Sequence, residues 1–154
     1  MGKKMNLTNL KKNSSKKFTT EKINVDGYDV VVDKVFRQSK IEELLKEFIE
    51  KLQYTQDNNI EFDGYEYGLT LTLSHFTSIT FPKKYEEQLE TYKILIDNEY
   101  FDEIYKIFPQ EEINKLADII VKFGEKASKL PKMKDGESKE AYRERVSEIL
   151  SKEE

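Results

Sequence analysis

His75 is the only histidine of the chain, and there is no cysteine. The missing cysteines exclude disulfides, thiolate nucleophiles and Cys-based zinc sites together. A lone imidazole beside Phe76, with no Ser-based nucleophile motif to serve, reads as a capping or core residue rather than a general base. Asp97, Glu99, Asp102 and Glu103 cluster between two helical stretches. Their spacing lacks the Asp-x-Asp-x-Asp-Gly loop and distal glutamate that enclose a hard cation in an EF-hand, so they read as a solvated turn. The six glycines are scattered, and none forms a GxGxxG or Walker phosphate loop. The expectation is a non-enzymatic protein with no cofactor and no metal.

The elements that would position these residues are legible in the patterning. Lys22–Val25 and Tyr28–Val32 flank Asp26-Gly27, which supplies the two positive-φ positions of a type I′ turn; this predicts a β-hairpin. Ser39-Lys-Ile-Glu42 fits a capping box. Behind it Ile41, Leu44, Leu45, Phe48, Ile49 and Leu52 draw one apolar stripe, predicting a helix that ends near Asp57-Asn58-Asn59. Over 65–76, Leu69, Leu71 and Leu73 alternate with threonines as in a strand. Tyr65, Leu69, Leu73 and Phe76 also share one helical face, and the lack of a nearby pairing partner favours helix.

Pro82 predicts a helix running to about Asn98, with Tyr85, Leu89, Tyr92 and Ile96 inward and Leu95 beside them. Tyr100–Phe108 reads as a short helix. Pro109 at the first helical position, followed by Gln110, Glu111 and Glu112, opens another with the stripe Ile113, Leu116, Ala117, Ile120, Phe123 and Ala127. Leu130-Pro131 and Asp135-Gly136 break the pattern before a last charged helix over Ser138–Lys152. The predicted fold class is α+β, predominantly α: a short N-terminal β-hairpin followed by a compact bundle of about five helices.

Charge and length divide the chain. At 154 residues it supports one domain with a core. Residues 1–20 hold six lysines and no acid, whereas residues 21–124 hold 22 acids against 12 bases. The expected organisation is a flexible basic arm over 1–20, a globular hairpin-plus-helices domain over 21–130, and a linker with a charged C-terminal helix over 131–154. No run approaches the ~18 apolar residues that span a bilayer, and the basic N-terminus has no apolar h-region. A cytoplasmic protein without membrane contact is expected. Tyr and Phe number nine each; most fall on helical stripes, where core packing is the default.

The order KINVDGYDVVV, VFRQSKIEELLKEFIEKL, HFTSITFP and IFPQEEINKLADIIVKF, over about residues 20–128, resembles the tail assembly chaperones of siphophages and prophages of Gram-positive bacteria. The lysine-rich arm and the charged helix after Pro131 depart from that pattern. The resemblance implies binding to the tape measure protein and tail tube subunits in the bacterial host cytoplasm, with a possible homo-oligomer. Such a role needs exposed apolar patches at helix junctions, for which Ile79, Phe81, Tyr100, Phe101, Tyr105 and Phe108 are the candidates. Two other readings stay open. One is a nucleic-acid-associated or regulatory phage protein using the lysine arm, which the acidic body disfavours by repelling phosphate. The other is a small acidic inhibitor of a host enzyme.

Overall fold

The computed structural model describes residues 2–128 and 134–152. It is mostly helical with one N-terminal hairpin, so the fold is α+β and predominantly α. The chain divides into two compact units, Met1–Leu116 and Ala117–Glu154, with the boundary inside a helix. The expected break at Leu130-Pro131 lies outside the described residues.

The first unit opens with α1 (Leu7–Lys17), so the basic arm expected to be flexible carries a helix. Asn6 caps it, its side-chain oxygen accepting from the Asn9 N–H at 3.0 Å. Strands β1 (Thr20–Val25) and β2 (Tyr28–Asp33) then pair antiparallel, from Thr20 opposite Asp33 to Val25 opposite Tyr28. Asp26 and Gly27 turn the hairpin at φ 49° and 88°, the left-handed pair that an I′ turn requires.

A bare hairpin is marginal in water, and this one is anchored. Ser78 donates its backbone N–H to the Val31 carbonyl, and its hydroxyl accepts the Val31 N–H, both at 2.9 Å. Val25, Val30 and Val32 are buried beneath the hairpin.

Four helices follow: α2 (Gln38–Asp57), α3 (Gly64–Phe76), α4 (Tyr85–Asp97) and α5 (Tyr100–Tyr105). The start of α6 (Gln110–Ser128) completes the unit. α2 buries Ile41, Leu44 and Phe48 from the predicted stripe. The Ser39 capping box does not form: the cap lies two residues earlier, at Arg37, with no side-chain hydrogen bond, and Ser39 falls inside the first turn. Tertiary contacts set that entry instead. Arg37 lies over the Phe18 ring at 4.6 Å, and the Phe36 N–H is bound by the Glu112 carboxylate at 2.8 Å.

The 65–76 segment is helical. Tyr65 is 79% exposed, while Tyr67, absent from the predicted face, is fully buried. Thr70, Leu71, Thr72 and Leu73 are all buried, which is why neither an alternating nor a one-sided pattern described this segment. Burial of the threonines is tolerated because Thr70 and Thr72 donate to the carbonyls four residues back, at 2.9 and 2.7 Å. The next helix starts at Tyr85 rather than Pro82. Its inward residues are Tyr85, Gln88 and Tyr92, and Ile96 is exposed rather than inward.

Rings hold the unit together. Phe36 stacks on Phe76 at 4.0 Å and meets Phe108 edge-on at 5.3 Å. A second group joins Phe48, Phe62, Tyr67 and Tyr85, with centroids 5.2 to 6.2 Å apart. Tyr67 donates to Gln88 at 2.8 Å, so both buried polar groups are satisfied.

In the second unit α7 (Lys139–Lys152) forms as expected. Ser138 caps it through the Ala141 N–H at 3.1 Å, and Arg145 pairs with Glu137 at 2.7 Å. Val146 is its buried residue among the described side chains, with Tyr142 and Ile149 half-buried. Ala127 and Leu150, expected on apolar stripes, have side chains outside the described set.

Candidate partner-binding grooves on helix α4

Ile94-Leu95-Ile96 places three consecutive apolar residues on one helix. A helix turns about 100° per residue, so such a run cannot all face one core. In the fold Leu95 is half-buried, while Ile94 and Ile96 are 52% and 42% exposed. Ile94 thus stands exposed on α4 with a groove on each side, while Ile96, about 200° further round the helix, lines neither.

The hairpin-side groove has a volume of about 350 Å³. Val25, Tyr28 and Val30 of the hairpin line one wall, Ile79 and Thr80 another, and Leu95, Tyr100 and Ile104 the floor. Tyr28 is 67% exposed at its mouth, edge-on to Tyr100 at 6.3 Å. The Tyr100 hydroxyl donates to the Asp26 carboxylate, tying the turn to α5. That hydrogen bond, then burial and neighbouring charge, raises the Tyr100 phenol above its ordinary pKa, so it remains a neutral donor.

The opposite cleft, of about 430 Å³, is lined by Ile60, Tyr85, Leu89 and Ile94 with Glu61, Glu86, Glu90 and Lys93. Burial raises the Tyr85 phenol. The Glu86 carboxyl is held low, first by its own backbone N–H and then by the Tyr54 hydroxyl, which donates at 2.9 Å. This cleft combines an apolar floor with a carboxylate rim.

The six candidate residues do not converge. Ile79 and Tyr100 line the hairpin-side groove. Phe101 and Phe108 are only 8% and 5% exposed. The half-buried Tyr105 lies between them, stacked on Phe101 at 5.1 Å and edge-on to Phe108 at 5.9 Å. Phe101 and Phe108 are core packing, available to a partner only if the fold opens, while Tyr105 keeps part of its ring at the surface. Phe81 is half-buried and lines neither groove. Tyr28, Ile94 and Ile96 were the surface residues missed, and the Ile-Leu-Ile run was the signal that marks two of them.

His75 sits with Nε2 3.5 Å from Glu47 Oε1, too far for a good hydrogen bond, and both are largely buried. The Nε2 atom and the other Glu47 oxygen make no hydrogen bond. Asp97, Glu99, Asp102 and Glu103 are exposed, with Glu99 in the left-handed region at φ 65° where α4 turns into α5. Among the described residues no three acidic or histidine side chains converge to hold a metal ion. No helix among them is long and apolar enough to cross a membrane.

No solved structure matches the chain. A protein of Bacillus subtilis (strain 168), described as the SPbeta prophage-derived uncharacterized protein YomO, is 26% identical over 151 residues, covering 96% of this chain and 91% of the relative. The match supports a prophage-derived origin. The YomO family profile matches residues 7–154, from the first turn of α1 through α7, and the chain belongs to the YomO family.

Proposed function

We propose that the protein is a non-enzymatic phage morphogenesis protein. It acts in the bacterial host cytoplasm as a chaperone-like binder of the tape measure protein or of tail tube subunits. The observation that carries this reading is the open hairpin-side groove, whose apolar walls end in the exposed Tyr28 and Ile94. An apolar groove beside an exposed aromatic suits one face of an amphipathic helix, and a tape measure protein is a long helical client. The prophage-derived relative is consistent with such a setting.

Co-expression with tape measure fragments and tube subunits from the same phage tests the proposal. A complex should survive gel filtration, and Tyr28→Ala with Ile94→Ser should weaken it about tenfold or more, as expected for residues that anchor an interface. If the folded full-length protein associates with neither client, the proposal is wrong.

A further inference from the structure

Helix α1 has no buried residue. Leu7 and Leu10 are 68% and 45% exposed, and Met5 just before the helix is 87% exposed. Leu7 and Leu10 stand three residues apart and so share one side of the helix. Lys3, Lys4, Lys11, Lys12, Lys16 and Lys17 surround them without an acid. An isolated helix of this length is marginal in water, and helices in proteins gain most of their stability by docking an apolar face. The surface that completes α1 must therefore be both apolar and acidic.

The cleft formed by Ile60, Leu89 and Ile94 under Glu61, Glu86 and Glu90 has that composition, with Lys93 as its one basic residue. α1 does not swing freely onto its own body, because its exit is pinned in two places. The Thr19 carbonyl accepts from the Lys34 N–H at 2.9 Å, and Arg37 covers the ring of Phe18, the residue that caps the helix. Strand β1 begins directly afterwards, at Thr20. A helix held outward at its root reaches a cleft on another molecule.

We infer that α1 of one copy docks into the acidic α4 cleft of a second copy, with Leu7 and Leu10 on its apolar floor and the lysines against Glu61, Glu86 and Glu90. One short helix in one cleft is a small contact beside the roughly 1,600 Å² of a standard interface. Reciprocal exchange doubles it and closes the assembly as a two-fold dimer. The site is separate from the hairpin-side groove, although Ile94 borders both.

Sedimentation velocity of the full chain across micromolar concentrations reads the association. A dimer is expected that weakens as salt rises, because its charge pairs lie at a solvated rim. Leu7→Ser with Leu10→Ser should give a monomer with unchanged melting of the body, and so should Glu61→Lys with Glu90→Lys. Mixing the Lys11→Glu/Lys12→Glu variant with the Glu61→Lys/Glu90→Lys variant should restore a heterodimer, since the reversed charges again face opposite signs. A wild-type chain that stays monomeric throughout overturns the inference. So does a dimer that is indifferent to the α1 variants. A monomeric chain whose α1 binds anionic vesicles or a DNA duplex also overturns it, and assigns the helix to that surface instead. Client binding by both variants should be unaffected, which separates failure here from failure of the client proposal.

Discussion

The Phe36–Phe76–Phe108 seam and the outer face of α4 are both apolar, yet one is closed and the other open. In the seam every ring meets another: Phe36 and Phe76 stack at 4.0 Å and Phe108 closes edge-on. On α4, Ile94 and Ile96 face solvent, with Tyr28 exposed across the hairpin-side groove. The difference teaches that aromatic density is a poor guide to a binding surface here. Aromatics bury large areas and pack against one another readily, so the densest segment became core. The surface instead combines Tyr28 of the hairpin with Ile94, an aliphatic residue in excess of what the inner side of α4 accommodates.

The comparison breaks most directly at the seam. Phe76→Ala removes a fully buried ring and should cost about 3–5 kcal/mol in urea unfolding, the range for aromatic truncation in a core. A loss under about 1 kcal/mol would show that the seam does not hold the unit.

The joint that seats Phe36 comes next. The Glu112 carboxylate accepts the N–H of the buried Phe36 and is paired with Lys115 at 3.0 Å. Glu112→Ala leaves that N–H without an acceptor and should cost about 1–3 kcal/mol, whereas Glu112→Gln retains an acceptor and should cost less. Partial burial opposes the charged form of Glu112, but the Phe36 N–H and Lys115 outweigh it and hold the carboxyl below its ordinary value. A lowered folded-state pKa means that this contribution is present above the ordinary carboxylate range and fades as pH falls through the folded value. Acid unfolding of Glu112→Gln should lack that component. Identical pH dependence in the two proteins would remove Glu112 from the joint.

The turn is a smaller test. Gly27 sits at φ 88°, and a Cβ added there would meet no atom within 4 Å, so Gly27→Ala brings backbone strain rather than a clash. It should cost about 1 kcal/mol and loosen the contact of Tyr28 with Tyr100, visible as a change in tyrosine fluorescence. The smallest effect on stability belongs to the open face: Ile94→Ser should shift unfolding by no more than about 0.5 kcal/mol, as for other surface positions, while weakening client binding by part of the loss expected of the double variant with Tyr28→Ala. A large destabilisation there would mean that Ile94 is structural and that the groove is no site.

Much of the frame was legible because its signals are local. Asp26-Gly27 specified the hairpin through backbone sterics alone, and the stripe from Ile41 to Phe48 placed α2. Pro109 and the glutamates after it marked the start of α6. Less was legible wherever a distant segment intervened. The Ser39 box lost to contacts of Phe36 and Arg37 made with residues far along the chain. α3 defeated periodicity because burial on several sides erases the contrast between faces. Of the candidate binding residues, Ile79 and Tyr100 reached the groove, while Phe101 and Phe108 went inward.

By itself the sequence determined the secondary elements whose causes lie within a few residues: the turn, the stripes, the proline-led start and the segregation of lysines from acids. It also determined that Ile94, Leu95 and Ile96 could not all be inside, since helical geometry forbids it. Only the tertiary structure decided which aromatics close on one another, that the residue after Thr77 zips onto β2, and that Ile94 of α4 stays exposed between two grooves. Those outcomes depend on which faces find partners across long separations. Burial is a property of the assembled set of elements, and no single element encodes it.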